Sequence, residues 1–394
     1  MRLLAVLLLC VVGLSQATLP PSLPPDAVPH DAYIWQRHWT PTVIAAARNA
    51  ADMVRAWRVL TAQSDHAGRW TRVAVPWDAL GATGRPIIAV VRIDGQLDEA
   101  RLPALLEQAA RVPASVVGIE IDYDCPTSKL AAYATFLAEL RRRLPAAVAL
   151  SITALPTWLS SPDLDKLATD LSEVVLQVHA VDAPRRGLFE PDRAEQWVRA
   201  FDRRIGRPFR VALPTYDVRV SWRPDGRLAS VEGEMPLGRS GAENATLAAD
   251  PEAVSNFLQA IERRAPQNFV GLAWFRLPTD ADRRAWSLAT WRAVVSGRLQ
   301  REPIAARLEP TDSAGLWTVT LSNDGAVDER IPHEVRLDAS CVLADGANGF
   351  HLRTDGDATL VLRSSGEGRL NAYDRRVIGW ARCAEPRRPL HVVQ

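Results

Sequence analysis

The stretch Gly118 to Cys125, read as GIEIDYDC, puts an acid at every second position: Glu120, Asp122 and Asp124. Successive side chains of a β-strand point to opposite faces, so these three carboxylates share one face and Ile119, Ile121 and Tyr123 the other. Each two-residue step advances ~6.5 Å along the strand. Burying even one unpaired carboxylate is costly, so three on one face call for a purpose. Mutual repulsion and desolvation should raise at least one pKa, setting a protonated acid beside ionised neighbours. Cleavage of a glycosidic bond needs that combination: a proton for the leaving oxygen and negative charge beside an oxocarbenium-like centre. Asp124, Asp122 and Glu120 are therefore the candidate catalytic residues.

Two other uses of the acids are open. One is an ion-pair network with Arg37, Arg92 and Arg276 as partners, since buried charges are normally paired. The other is a divalent cation, because oxygen ligands suit Ca²⁺ or Mg²⁺. No His-x-His or His-Glu-x-x-His pattern is present, which argues against zinc. The expectation is a site with no metal and no cofactor.

A strand that carries such a face must be held by its neighbours. Eight apolar, β-branched runs alternate with amphipathic stretches: AYIWQ, AWRVLTA, PIIAVVRI, SVVGIEI, AVALSITA, EVVLQVHAV, PFRVALP and NFVGLAWF. Helices are expected at Leu102–Val112, Leu130–Leu144, Ala194–Arg204 and Ala253–Arg264. Near-continuous apolar strands separated by helices indicate a parallel sheet covered on its faces. Eight such units over residues 31–298 fit an α/β fold of the (β/α)8 TIM-barrel type. An open doubly wound sheet is the alternative, but the first strand is not followed by a Gly-rich phosphate loop. VAVPWDAL near Val73 reads as an extra short strand, and Asp217–Leu247 as a long insertion in the seventh unit. Residues 300–394 change to short alternating strands between Gly, Asn and Asp turns, the pattern of a small all-β sandwich.

Active sites of such barrels lie at the C-terminal ends of the strands. There the sequence sets Trp35, Gln36 and Arg37, Arg92 and Asp94, the three acids, Thr153, Gln177 and His179, Tyr216, and Trp274 with Arg276. Trp35, Gln36, Arg37, Arg92, Gln177, His179, Tyr216, Trp274 and Arg276 are the expected substrate-binding residues. Trp35, Tyr216 and Trp274 are the aromatic faces on which sugars could stack, and His179 reads as a hydrogen-bonded rim histidine. Trp39, Trp57, Trp70, Trp158, Trp286 and Trp291 read as core or interface residues.

Composition narrows the partners. The chain of 394 residues is 47% hydrophobic and 24% charged with a net charge of +1, which favours neither nucleic acid nor an anionic membrane surface. Arg2, the apolar run Leu3–Leu14 and Ser15-Gln16-Ala17 form a signal-peptide pattern over residues 1–17, followed by a Pro-rich linker over 18–30. Export to the periplasm or medium is expected, with no integral membrane segment after cleavage. Cys10 leaves with the signal. Of the remaining thiols, Cys341 and Cys383 are the better pair and Cys125 is left free and buried.

The fourth strand resembles the signature of glycoside hydrolase family 18, the chitinase-like barrels, in which Asp-Gly-x-Asp-x-Asp-x-Glu ends strand four. The aligned stretch here is Val117 to Asp124. The resemblance implies Asp124 as general acid, Asp122 as its partner orienting a substrate acetamide, Glu120 as inner electrostatic support, and Trp274 as the floor of the sugar pocket. Asp stands where that family has Glu, Val117 replaces its first Asp, VVRIDG replaces its Ser-x-Gly-Gly, and LQVHAV its Met-x-Tyr-Asp. YIWQRHWTP, GIEIDYDCPTSKLAAYATFL, LSITALPTWL, VVLQVHAV with GLF, and FRVALPTY resemble the exported bacterial family known as domain of unknown function 3142. That likeness covers nearly the whole chain and implies fold and export without a reaction. The expected function is an exported glycoside hydrolase-like protein acting on a polysaccharide or oligosaccharide. The alternatives are a carbohydrate-binding protein without turnover, or an envelope assembly protein that holds a protein partner through its C-terminal domain.

Overall fold

A computed structural model of the chain describes residues 28–393 except 96, 98, 111, 112, 114, 168, 180–186, 233–242, 357, 358, 367 and 387–389. The expected signal peptide, Cys10 and the linker up to residue 27 lie outside the described residues. All eight expected strands form: β1 His30–Ile34, β2 Ala56–Ser64, β3 Ile87–Ile93, β4 Val116–Tyr123, β5 Ala149–Ala154, β6 Glu173–Gln177, β7 Phe209–Pro214 and β8 Phe269–Phe275. Each pairs in parallel with its successor, and β1 pairs with both β2 and β8, so the sheet closes into a barrel. The open-sheet alternative is excluded by that closure. No helix among the described residues is long and apolar enough to cross a membrane.

Local chemistry sets the helix starts. Pro41, Pro191 and Pro251 each occupy the first turn, where a missing N–H costs nothing. Asp250 caps its helix by accepting from the Glu252 and Ala253 amides. The outward residues of the strands meet this helix layer; Ile119, Ile121 and Tyr123 belong to that core together with Tyr133, Phe136 and Leu137 of helix Leu130–Arg143. The short extra strand is Trp70–Arg72, antiparallel to the end of β2, and not the expected VAVPWDAL, whose second half is instead a helical turn, Trp77–Gly81. Within the expected insertion, Asp217–Trp222, Leu228–Glu232 and Glu243–Ala248 form a three-stranded antiparallel sheet.

The inward face of the barrel floor is charged. Arg58 of β2 is fully buried and donates to Asp31 of β1, Glu120 of β4 and Glu173 of β6. Arg210 of β7 reaches Asp31 and Glu173, and Arg55 clasps Asp31 from outside. Tyr33 and Ser151 complete the shell of Glu120. Burial would raise the Asp31 carboxyl, but Arg58 and Arg210 hold it below the usual range. Burial raises that of Glu120, and Arg58 only partly offsets it. Gly271 of β8 is obligatory here, because a Cβ on it would overlap the Arg210 guanidinium and the Pro29 carbonyl.

The C-terminal region packs two four-stranded antiparallel sheets around a shared core that includes Val319, Leu321 and Ile378 of one and Val335, Phe350 and Leu362 of the other. Cys341 and Cys383, on paired strands, form a disulfide, and Cys125 is free and buried. Arg369 pairs with Asp217 at 2.7 Å, tying this region to the residue that follows Tyr216.

Two measurements check the buried charges. Arg58→Met strands Asp31 and Glu120 without their main cation and should lower unfolding free energy by about 3–5 kcal/mol, whereas Arg37→Met on the exposed rim should stay within about 0.5 kcal/mol. Equal losses in urea titrations would refute the role of the cluster. His30 is the second case: burial depresses its pKa to about 4 from the usual 6.5, against a smaller opposing pull from Asp31. The unfolded chain then binds a proton that the folded one refuses, so this histidine's contribution is present above pH 6.5 and lost as pH falls towards 4. His30→Gln, which keeps an acceptor for the Trp274 indole, should flatten that part of the stability profile, and an unchanged slope contradicts it.

Candidate functional site

Above the charged floor, the C-terminal mouth of the barrel opens into a cavity of about 300 Å³. Its lining includes Asp122 and Asp124 of the acidic strand, Arg92 and Asp94 from the end of β3, and Gln63 and Arg37 beside them. Arg92 organises this side. Its Nε donates to Asp94 at 3.0 Å, Nη1 to Asp122 at 2.8 Å and Nη2 to Asp124 at 2.7 Å. Thr153 donates to the other oxygen of Asp122 at 2.7 Å. Burial raises the Asp122 carboxyl above the usual range, Arg92 pulls it down, and the Asp124 charge adds to the rise. Asp124 stands just past the strand end with its side chain 48% exposed.

The opposite side is aromatic. In the closed ring, β8 lies across from β4, and β7 across from β3. Phe275 ends β8, Tyr216 follows β7, and both line the cavity with Trp35 and Tyr33 of the first strand and the loop after it. These rings support one another, with centroids 5.0 Å apart for Trp35 and Phe275 and 5.5 Å for Tyr216 and Phe275. His179 packs edge-on against Tyr216, and its Nδ1 lies 3.3 Å from the Tyr216 hydroxyl. Burial holds the His179 pKa at about 3, so the ring is neutral. Its Nε2 is buried with no hydrogen-bond partner among the described residues. Tyr33 joins the two levels: it lines the cavity and donates to Glu120 below at 2.6 Å.

The expected residues separate into two groups. Asp122, Asp124, Trp35, Arg37, Arg92, Gln177, His179 and Tyr216 line the cavity. Glu120 does not; it is fully buried in the floor against Arg58. Trp274 is also elsewhere, because strand alternation turns Ala273 and Phe275 inward and Trp274 towards the helices. There it is fully buried, donates to His30 and packs on Trp286 and Trp291. Arg276 turns to Asp282, and the Gln36 amide reaches the Leu277 carbonyl. Of the arginines expected on the acids, Arg92 takes that part, while Arg37 donates to Gln63. Tyr33, Gln63 and Phe275 were not foreseen. Tyr33 shares the inward parity of Trp35 along its strand, the signal that could have found it, whereas both faces of the strand that ends in Phe275 are apolar.

For a cation, the Arg92 guanidinium already occupies the centre of the three carboxylates. Among the described residues no group of three or more His, Cys, Asp or Glu is placed to hold a metal ion.

Comparison with known proteins adds the following. No curated protein matches the sequence. Solved structures with similar outlines include the spore cortex-lytic enzyme SleL of Bacillus cereus, at 12% identity and TM-score 0.49 over 69% of this chain and 74% of that one. Another is a chitinase from Chromobacterium violaceum, at 15% identity and TM-score 0.48 over 70% of this chain and all of that one. Residues 306–384 match a second family described only as a domain of unknown function, DUF8456. Residues 83–280, half of the chain and the stretch that carries strands β3 to β8, match the family described as Domain of unknown function (DUF3142), and the chain belongs to that family.

Proposed function

We propose that the protein is an exported glycoside hydrolase-like protein that takes a saccharide into the mouth of the barrel and cleaves it by carboxylate acid catalysis. The observation that carries this reading is the two-sided cavity, with carboxylates on one wall and aromatic rings on the other. A pyranose has the matching asymmetry, an apolar C–H face and a polar rim of hydroxyls. Trp35, Tyr216 and Phe275 offer the surface for the first. Asp122, Asp124, Gln177 and His179 offer partners for the second. Asp124, outermost and half exposed, is positioned to give its proton to the glycosidic oxygen, with Asp122 behind it as the charge beside the oxocarbenium-like centre. Glu120 acts only through Tyr33, as part of the floor that fixes that ring. The apolar segment at the N-terminus supports export.

A second reading, carbohydrate binding without turnover, is favoured by one contact. Arg92 donates to both Asp122 and Asp124, so an oxygen of each carboxylate already serves as an acceptor for this guanidinium.

Incubation of the purified protein with a panel of bacterial and plant polysaccharides separates the two. Release of new reducing ends by the wild type, reduced about 10²–10⁴-fold in Asp124→Asn with an unchanged circular dichroism spectrum, is the expected result. Glycan retained by both proteins with no product from either establishes the binding reading instead. Absence of any glycan binding rejects both.

A further inference from the structure

The charges of the cavity do not balance. Asp94, Asp122 and Asp124 face it with Arg92 and the rim residue Arg37, so among the described residues the lining holds formally one more negative charge than positive. Arg92 is already shared among all three acids, with Nε, Nη1 and Nη2 each donating to one of them. Arg37 donates to Gln63, which in turn donates to Asp94. Among the described residues the pattern of engagement leaves one carboxylate oxygen open: Asp122 accepts at both oxygens and so does Asp94, but Asp124 accepts from Arg92 through Oδ2 only.

A second, independent feature points to the same ligand. His179 is 2% exposed and lines this cavity, yet its Nε2 finds no partner among the described residues. A buried polar atom without a partner costs free energy that a ligand group can recover. Tyr216 holds the other ring nitrogen, so Nε2 is a donor in one tautomer and an acceptor in the other. A hydroxyl group serves either. The imidazole is neutral, and it adds nothing to correct the excess of acid.

We propose that the pocket selects a saccharide bearing a free amino group, with the ammonium at the open side of Asp124 and a hydroxyl on His179 Nε2. This rests on the reading of the cavity as a saccharide site, in the form in which Asp124 binds as a carboxylate and does not act as the acid, and adds the sugar's charge. An ammonium restores electroneutrality among Asp94, Asp122 and Asp124, and its N–H donors reach an oxygen that protein groups leave open. Acylation of the amine removes the charge and two of the donors. A uronic acid brings a further negative charge to a lining that already has one in excess, and like charges repel more strongly where solvent is excluded. The preference should therefore be strongest for the residue that enters the cavity and weak for sugars outside the mouth.

Calorimetric titration of the full chain tests this with glucosamine, N-acetylglucosamine and glucuronic acid, each as monosaccharide and as β-linked tetramer. The glucosamine ligands should bind at least about tenfold more tightly than the other two, equivalent to about 1.4 kcal/mol. That margin should shrink in 0.5 M salt. Asp124→Asn should bring the glucosamine and N-acetylglucosamine affinities together, and His179→Phe should weaken both alike. Equal or tighter binding of the acylated or acidic sugars by the wild type overturns the inference and leaves the saccharide site standing. Binding of none of the three, while a polysaccharide of the panel is bound or cleaved, overturns it as well. Failure of these sugars and of the whole panel removes the saccharide site itself.

Discussion

A fully buried guanidinium on β2 holds the barrel together from inside. Arg58 meets Asp31, Glu120 and Glu173, which belong to three other strands, and Arg210 adds a fourth strand to the same cluster. Barrels of this kind are ordinarily filled by layers of branched apolar side chains. Here one layer is ionic, and its stability depends on every member being present, because any one removed leaves an opposite charge in a dry interior. The apolar layer above it, with Leu60, Val90, Val175 and Ala273, is thin, and the cavity begins directly over it. Tyr33 runs through that layer and transmits the position of Glu120 to the cavity floor.

The mouth repeats the same device in a looser form. One arginine again gathers three carboxylates, but Arg92 is 22% exposed and Asp124 about half exposed, whereas Arg58 at the centre of the lower cluster is fully buried. The alternation of the fourth strand puts Glu120 into the first environment and Asp122 and Asp124 into the second. One residue pattern thereby supplies a structural acid and two accessible ones. The division between acidic and aromatic walls follows from strand order, since the ring sets β3 and β4 opposite β7 and β8.

Much of this was legible in the sequence. The eight runs, the acid at every second position and the change of texture near residue 300 are local signals, and local periodicity reports which face a residue takes. What escaped was phase and partnership. In FVGLAWF both faces are apolar, so nothing in the segment says that Phe275 and not Trp274 turns inward. Partnership is a matter of tertiary pairing: Arg58 is 62 residues from Glu120 and 115 from Glu173. A signal did exist. Arg58 is a lone charge in the apolar run AWRVLTA, and an arginine buried in one strand requires acids from its neighbours. Arg276 and Gln36 were misplaced for a different reason: they follow the strand ends, where the alternation that assigns faces no longer applies.

The ionic floor also governs traffic. Arg58, Asp31 and Glu120 have no measurable exposure, and Tyr33, Leu60 and Val90 above them are closed as well. The barrel is thus a well with one opening, and no strand of polymer can thread through it. Whatever occupies the cavity enters with an end or a side branch foremost, and whatever remains after an encounter must retreat past Asp124 and Trp35 by the route it came.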